Sequence, residues 1–176
     1  MKTDMIISLK ENQVTVPPLT IRGMIEEYKK VSCITLTDNQ TDAIFTALSN
    51  RVSVITGGPG TGKTTILSAI ISCYKNLYGK EVTLLAPTGK AARRMTEATG
   101  IEASTIHSKI RIFDSGCGYE PEKLPEGLIV VDEASMIDGL LFAKLLKAIE
   151  GERSHLLLIG DIDQLPSVCA GAVLRN

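Results

Sequence analysis

The sequence predicts an α/β fold in which helices cover both faces of a mostly parallel central sheet, a three-layer sandwich. Along most of the 176 residues, short apolar runs alternate with segments of helical spacing. Such runs are typical of parallel strands that are buried on both faces. A glycine-rich octet at residues 57 to 64 also separates one of these runs from a helix-like segment. This is where a helix N-terminus binds phosphate in many α/β proteins.

The expected elements follow in a regular order. A helix begins near Thr37-Asp38, either of which can cap it, and its apolar residues recur at helical spacing. Strands are expected over about residues 52–56, 82–86, 128–131 and 156–159, and helices over about 63–78, from 88 onward and over 139–149. Residues 114 to 127, which contain three glycines and two prolines, are predicted to form a surface loop.

Residues 1 to 35 are interpreted as an N-terminal arm or the tail of an upstream domain, ahead of a single domain over residues 36 to 176. In this arm, Met5 to Leu9 could form a short strand, and Ile21 to Lys30 has a weak helical pattern.

Composition excludes several classes of protein. Hydrophobic residues make up 44% and charged residues 22% of the chain, and the formal net charge is −1, so no global field attracts nucleic acid. The four cysteines are scattered and only two histidines are present, which favours reduced thiols over a zinc site or a disulfide framework. Reduced thiols predict a cytoplasmic protein. No apolar run is long enough to span a bilayer, so no membrane partner is expected.

The octet reads Gly-Gly-Pro-Gly-Thr-Gly-Lys-Thr and predicts a nucleoside triphosphate site. Its glycines let backbone N–H groups converge, Lys63 can reach the β- and γ-phosphates, and the Thr64 hydroxyl can ligate Mg²⁺. The alternative is a glycine-rich turn with an unrelated lysine, which the flanking strand and helix patterns disfavour. The predicted nucleotide-binding residues are Gly57, Gly58, Pro59, Gly60, Thr61, Gly62, Lys63, Thr64 and Thr65.

Two polar segments that follow apolar strands complete the predicted site. Asp132 is assigned to Mg²⁺ and Glu133 to the general base that activates water, because parallel sheets place ligands at the carboxyl ends of their strands. The alternative is a solvated acidic pair at a helix start. Gln164, after the next strand, can contact the γ-phosphate or the attacking water, or it is simply a polar turn residue.

A local basic segment offers a candidate nucleic-acid contact. Thr88 and the first amides of the following helix can bind a phosphate, and Lys90, Arg93 and Arg94 add positive charge. A solvated basic helix face explains the same residues equally well. Near His107, Lys109 and Arg111 could extend the patch, although a histidine in such a place is more often a packing residue.

Together these segments resemble a superfamily 1 helicase of the RecD/TraA type, the group that includes the exodeoxyribonuclease V alpha subunit. The matching segments occur in family order over residues 36 to 176: 36–40, 57–65, 86–95, 104–107, 130–136 and 160–168. The resemblance implies a RecA-like P-loop NTPase domain that uses ATP and Mg²⁺. It also implies that Gln40 binds the adenine edge and that Gln164 couples the γ-phosphate to domain closure.

The same resemblance implies what the domain works on. Thr88, Lys90 and His107 would lie along single-stranded DNA, on which the family moves 5′ to 3′, and further recombination or repair subunits would be partners. Family members also have a second RecA-like domain that supplies arginine fingers. Because nothing after Asn176 provides them, we expect a first motor domain that alone binds nucleotide but hydrolyses it weakly.

Other functions are compatible with a phosphate loop. The chain could be a nucleotide-dependent switch or assembly module that binds DNA or protein without translocating, or a small-molecule phosphotransferase. Asp132-Glu133 and Gln164 favour water as the nucleophile and so disfavour the phosphotransferase. An RNA helicase stays open, because phosphate contacts do not distinguish the sugar.

Overall fold

The computed structural model describes residues 16–58, 60–111, 120–149 and 154–161. Its helices are α1 (Pro18–Ser32), α2 (Asp38–Ser49), α3 (Lys63–Tyr78), α4 (Gly89–Thr99), α5 (Ile106–Lys109) and α6 (Gly139–Ala148), with a 3₁₀ turn at Ala134–Met136. Its strands are β1 (Val52–Thr56), β2 (Glu81–Ala86), β3 (Ala103–Thr105), β4 (Gly127–Val131) and β5 (His155–Gly160).

The strands form one parallel sheet in the order β1-β5-β4-β2-β3. Neighbours in this sheet are distant in sequence, so helices must cross over its faces between successive strands. All carboxyl ends therefore meet at one edge of the sheet, which we call the upper edge, and all amino ends meet at the opposite, lower edge. The predicted α/β sandwich with a mostly parallel sheet is confirmed.

Apolar side chains form a separate core on each face of the sheet. Along β5, Leu157 and Ile159 join the core beneath α1, α2 and α3, whereas Leu156 and Leu158 join the core beneath α6. Successive side chains of a strand point to opposite faces, so a strand covered on both sides needs apolar residues at every position. This explains the continuous apolar runs in the sequence.

The N-terminal helix is part of the first of these cores. Pro18 stands at the start of α1, where its missing N–H costs no helical hydrogen bond. Ile21 and Ile25 lie on the inner side of the helix and are each 1% exposed. The segment read as weakly helical is thus a full helix that packs on α2 and α3, and the strand expected at Met5 to Leu9 lies outside the described residues.

Strand β3 was not predicted from the sequence. It has only three residues, and its backbone is fixed at the first of them by a hydrogen bond of 2.9 Å from the Ala103 N–H to the Thr96 hydroxyl of α4. Within the ranges that the structure describes, no helix combines the length and apolar character needed to cross a bilayer.

Candidate functional site

The phosphate loop connects β1 to α3 at the upper edge of the sheet. Gly60 and Gly62 have φ of 78° and 82°, a left-handed backbone that glycine adopts without steric cost. A Cβ on Gly57 would lie 2.7 Å from the Thr61 hydroxyl, which donates a 2.9 Å hydrogen bond to the Gly58 carbonyl. The loop thus has room for glycine alone at these points, while Pro59 lies outside the described residues.

Lys63 is the first residue of α3 and turns its side chain back into the loop. Its ammonium group donates hydrogen bonds to the carbonyls of Gly57 and Gly58, the latter at 3.2 Å. The positive charge is therefore held within the loop, beside the start of a 16-residue helix whose dipole favours an anion at the same place. Thr64 follows in the first turn, where its exposed side chain is open to a ligand.

Asp132 directly follows β4 and lies near this lysine. Its N–H continues the sheet by donating to the Leu85 carbonyl at 3.0 Å, and its carboxylate accepts a 2.9 Å hydrogen bond from the Glu133 N–H. Burial raises the pKa of Asp132, while the Glu133 N–H and the charge of Lys63 act to lower it. A carboxylate in this position has a desolvated oxygen that a cation would stabilise.

Glu133 has an unusual backbone. Its φ of 50° and ψ of 39° are left-handed, and it is the residue between Asp132 and the 3₁₀ turn. A residue other than glycine in this conformation costs about 1 kcal/mol, and such strain is concentrated at functional sites. The conformation turns the chain sharply out of β4, so that the two acidic residues lie together at the upper edge.

The end of β5 contacts the phosphate loop directly. The Gly57 N–H donates to the Gly160 carbonyl at 3.3 Å, and Asp161 behind it is 5% exposed. Sequence reasoning placed this turn near the phosphates but did not select Asp161. The Gly160-Asp161 pair directly after an apolar strand could have indicated this residue. Gln164 lies outside the described residues, and its role stays a prediction.

Gln40 joins α2 to the phosphate loop. Its backbone and side chain form a capping box with Thr37, whose N–H donates to the Gln40 side-chain oxygen at 3.0 Å. The Gln40 amide nitrogen donates to the Thr61 carbonyl at 3.4 Å. A residue predicted to contact the base thus lies beside the loop that would hold the phosphates, and the Thr61 contact was not foreseen.

The candidate DNA residues lie at the same edge, beyond the phosphate loop. Thr88 caps α4 by accepting a hydrogen bond from the Ala91 N–H at 3.2 Å, and Lys90 in the first turn is exposed. His107 in α5 is also exposed. Since β2 and β3 are neighbours that end at the paired residues Ala86 and Thr105, Thr88 and His107 each lie two residues beyond the end of adjacent strands.

The residues present fit a magnesium nucleotide. The glycine loop and its lysine suit phosphate groups, and the threonine at the helix start and the half-buried Asp132 carboxylate are oxygen ligands of the kind that Mg²⁺ prefers. Within the described ranges, no group of three or more histidine, cysteine or acidic residues forms a metal cluster.

Comparisons with known proteins define the class. The sequence profile of an AAA domain family matches residues 40–170, and the chain therefore belongs to that family. Over 140 residues it is 43% identical to the ATP-dependent RecD2 DNA helicase of Deinococcus radiodurans, which covers 79% of this chain and 19% of the relative. It is 40% identical over 164 residues to the RecBCD enzyme subunit RecD of Haemophilus influenzae, covering 78% of this chain and 26% of that subunit.

The fold comparison agrees. The Pif1 helicase from Candida albicans superposes with a TM-score of 0.57 at 27% identity, over 77% of this chain and 34% of the helicase. The chain is therefore a helicase motor domain of the RecD type, as the motif order predicted. It spans less than a third of the length of the curated relatives named here.

Proposed function

We propose that this domain couples ATP hydrolysis to the movement of its parent protein along single-stranded DNA, in the 5′ to 3′ direction. One observation carries the proposal: Lys63 in the phosphate loop lies near Asp132, with Glu133 next to it, at one edge of a parallel sheet. Such a group of residues suits hydrolysis of a phosphoanhydride by water. The similarity to the DNA helicases named above supports DNA as the polymer.

Each side chain has a proposed role in hydrolysis. Lys63 exchanges its bonds to the Gly57 and Gly58 carbonyls for bonds to the β- and γ-phosphates, and Thr64 and Asp132 hold Mg²⁺. When bound, the ion neutralises charge on the phosphate oxygens. Glu133 accepts the proton of the attacking water, and Gln164 responds to the γ-phosphate.

Gln40 is proposed to select ATP. Its amide is already at the loop, where its nitrogen contacts the Thr61 carbonyl and its oxygen accepts from the Thr37 N–H. An amide that both donates and accepts matches the adenine edge, which presents an amino group beside a ring nitrogen. If Gln40 exchanges these contacts for contacts to adenine, binding of the base breaks the hydrogen bond to the Thr61 carbonyl.

Thr88, Lys90 and His107 are proposed to line the DNA track. Among them, Lys90 supplies charge for a phosphate, and the capped start of α4 supplies backbone N–H groups. Arg93 on the same helix is ion-paired with Glu97 at 2.9 Å and 83% exposed, so this side chain contributes less net charge. The alternative is that Lys90 is simply a solvated residue of an exposed helix end. Lys90→Gln tests this alternative, because it removes the charge that would bind a phosphate.

The isolated chain is proposed to bind nucleotide and to hydrolyse it weakly. Arginine fingers raise phosphoryl-transfer rates by about 10³- to 10⁵-fold and are often supplied by a second domain or partner. The resemblance to RecD-type helicases supports the proposal that a second RecA-like domain of the parent protein supplies such a group. DNA-stimulated turnover at the rate of an intact helicase by residues 1–176 alone would overturn this point.

The deciding experiment measures ATP hydrolysis by the full-length parent protein with and without single-stranded DNA or RNA. We expect stimulation by DNA, and we expect Glu133→Gln to lower kcat by about 10²- to 10⁴-fold, because it removes the base but keeps the shape. Glu26→Gln on the exposed side of α1 is the matched control and should leave kcat unchanged. Partial duplexes with 5′ or 3′ single-stranded tails then report the direction of movement.

A nucleotide-dependent switch is the second candidate. The hydrogen bond from Gln40 to Thr61 favours it, because nucleotide binding at the loop would by itself alter a contact to α2. No stimulation by either polymer, together with nucleotide-dependent capture of DNA or protein, would support the switch over the motor. Stimulation by RNA alone would support an RNA helicase.

A further inference from the structure

A second group of charged residues lies at the lower edge of the sheet, opposite the phosphate loop. Arg51 directly precedes β1, Lys80 precedes β2, Glu126 precedes β4, and His155 begins β5. These strands are neighbours, so their amino ends bring the four residues into one row. With Tyr74 of α3, which packs on His155, they form what we call the basal cluster.

His155 is at the centre of the basal cluster. Its side chain is 2% exposed, and its Nδ1 lies 3.2 Å from the hydroxyl of Tyr74. The rings of Tyr74 and Tyr78 pack on the imidazole with centroid distances of 5.1 and 5.0 Å. Burial and the charges of Arg51 and Lys80 lower the pKa of His155 to about 4, so the imidazole is neutral at pH 7. When the Tyr74 hydroxyl donates to Nδ1, the neutral ring carries its proton on Nε2.

Three nitrogens of the basal cluster lack a hydrogen-bond partner among the described residues: Arg51 Nε, Lys80 Nζ and His155 Nε2. Arg51 is 7% exposed, so its guanidinium group is buried as well as charged. Lys80 lies 2.9 Å from Glu126, an ion pair without hydrogen-bond geometry. Buried donors are nearly always satisfied, and a buried charge is costly unless it is paired. Arg51 Nε and His155 Nε2 thus have no acceptor in the part of the chain that the structure describes, and Lys80 has only its ion pair, so this edge of the sheet suits an added acceptor.

A groove adjoins the cluster at Lys80. Its volume is about 510 Å³, and it is lined by Lys75, Gly79, Lys80, Glu81 and Val82 where α3 ends and β2 begins. Lys80 belongs to both groove and cluster. The groove is larger than a phosphate ion, so it could also hold the remainder of a molecule that carries a phosphoryl group.

We propose that the basal cluster binds a phosphate-type oxyanion, with Arg51 and Lys80 as charged donors and the Nε2–H of His155 as a neutral donor. A tetrahedral oxyanion presents several acceptor oxygens at once, which matches donors arriving from adjacent strands. The site lies at the sheet edge opposite Lys63 and is separate from the nucleotide site.

The test observes the imidazole of His155 by ¹⁵N NMR while inorganic phosphate is added at pH 7.5 and constant ionic strength. The chain contains only His107 and His155, so the two rings are readily told apart. We expect a saturable shift of the His155 Nε2 signal with His107 unmoved. The shift should persist in Lys63→Ala, a variant chosen to weaken phosphate binding at the loop. The phosphate concentration that gives half of the maximal shift should rise at least tenfold in Arg51→Gln and in Lys80→Gln.

A parallel titration with glycerol 2-phosphate distinguishes a site for the free phosphate ion from a site for the phosphoryl group of a larger molecule. Tighter binding of this ester than of phosphate identifies the phosphoryl group of a larger molecule, whereas tighter binding of phosphate identifies the free ion. The proposal is overturned if neither moves the His155 signal, if chloride of equal ionic strength moves it equally, or if Lys80→Gln titrates like the unchanged chain. Lys80 is partly exposed, so this variant keeps the test valid if Arg51→Gln does not fold.

Discussion

The backbone of Glu133 shows how much of the candidate site depends on the conformation of one residue. Its type and its place after an apolar strand could be predicted, because Asp-Glu follows four apolar residues. Its left-handed φ of 50° could not be predicted, because glutamate rarely adopts this conformation and only the surrounding tertiary structure offsets its cost. In the same way Gln40 was assigned through resemblance, but its bond to Thr61 depends on how α2 packs.

Alanine variants of Gly60 and Gly62 can distinguish an effect on Gln40 from an effect of backbone strain in the loop. Both have positive φ, so Gly60→Ala and Gly62→Ala should each lower stability by about 1 kcal/mol. Only at Gly62 would the new Cβ come within 2.6 Å of the Gln40 amide nitrogen. We expect Gly62→Ala, like Gln40→Ala, to reduce the preference for ATP over GTP in equilibrium binding. Gly60→Ala is the control and should keep that preference, and equal loss in both glycine variants would contradict the role of Gln40.

His155 gives the stability of the domain a defined pH dependence. In the unfolded chain its pKa is near 6.5, whereas in the folded chain burial lowers that pKa to about 4. The unfolded state therefore binds the proton first, and stability falls as the pH drops from 6.5 towards 4. We expect the unfolding free energy to lose about 2 to 3 kcal/mol from this residue between pH 7 and 4.5.

Urea unfolding at the two pH values, for the unchanged chain and for His155→Gln, checks this expectation. Glutamine does not titrate and can still bond the Tyr74 hydroxyl, so carboxylate effects common to both proteins cancel. An equal loss of stability in the two proteins would show that His155 is not the titrating group.

At the scale of elements, the parts that could be predicted are those whose pattern reflects burial on two sides. The runs that end at Ala86, Val131 and Gly160 gave strands because residues in both cores must be apolar. The run that ends at Thr56 also gave a strand, although Val54 is 50% exposed and only Ser53 and Ile55 of that strand are buried. Strand β3 was missed since Ala103-Ser104-Thr105 is short and half-buried, and its strand form depends on pairing with β2. Helix α1 was underestimated because only one of its sides is buried and Gly23 interrupts its pattern.

Two glycines at helices should respond oppositely to alanine. Gly23 lies inside α1, and an added Cβ would meet nothing within 4 Å, so Gly23→Ala should stabilise the domain by about 0.5 to 1 kcal/mol. Gly79 ends α3 with φ of 60°, so Gly79→Ala should destabilise it by about 1 kcal/mol. Thermal or urea unfolding measures both. A stabilised Gly79→Ala would be inconsistent with the left-handed helix end.

At the scale of the whole molecule, the strand order explains why distant sequence segments act together. The phosphate loop, Asp132-Glu133 and the end of β5 follow adjacent strands at one edge, so the motifs alone predicted that these segments lie together. The basal cluster could not be predicted in this way, because residues 51, 80, 126 and 155 share no motif and are joined only by the order β1-β5-β4-β2.

Nucleotide binding should stabilise the entire domain. We expect Mg²⁺-ADP to bind the folded chain and not the unfolded one, so ADP at 100 times its Kd should raise the unfolding free energy by about 2.7 kcal/mol. Thermal unfolding with and without Mg²⁺-ADP measures this gain. Lys63→Ala should lose most of it while its own stability without nucleotide stays close to that of the unchanged chain. Undiminished stabilisation of this variant would place the nucleotide elsewhere.

The hydrogen bond from the Gly57 N–H to the Gly160 carbonyl has a consequence for communication within the domain. It links the first residue of the phosphate loop to the last residue of β5 through the main chain alone. A displacement of the loop would therefore reach Gly160 and its neighbour Asp161 without help from any side chain. Mutational scanning would overlook such a link, whereas deuterium exchange at the Gly57 amide would report it directly, slowing or quickening as the nucleotide changes.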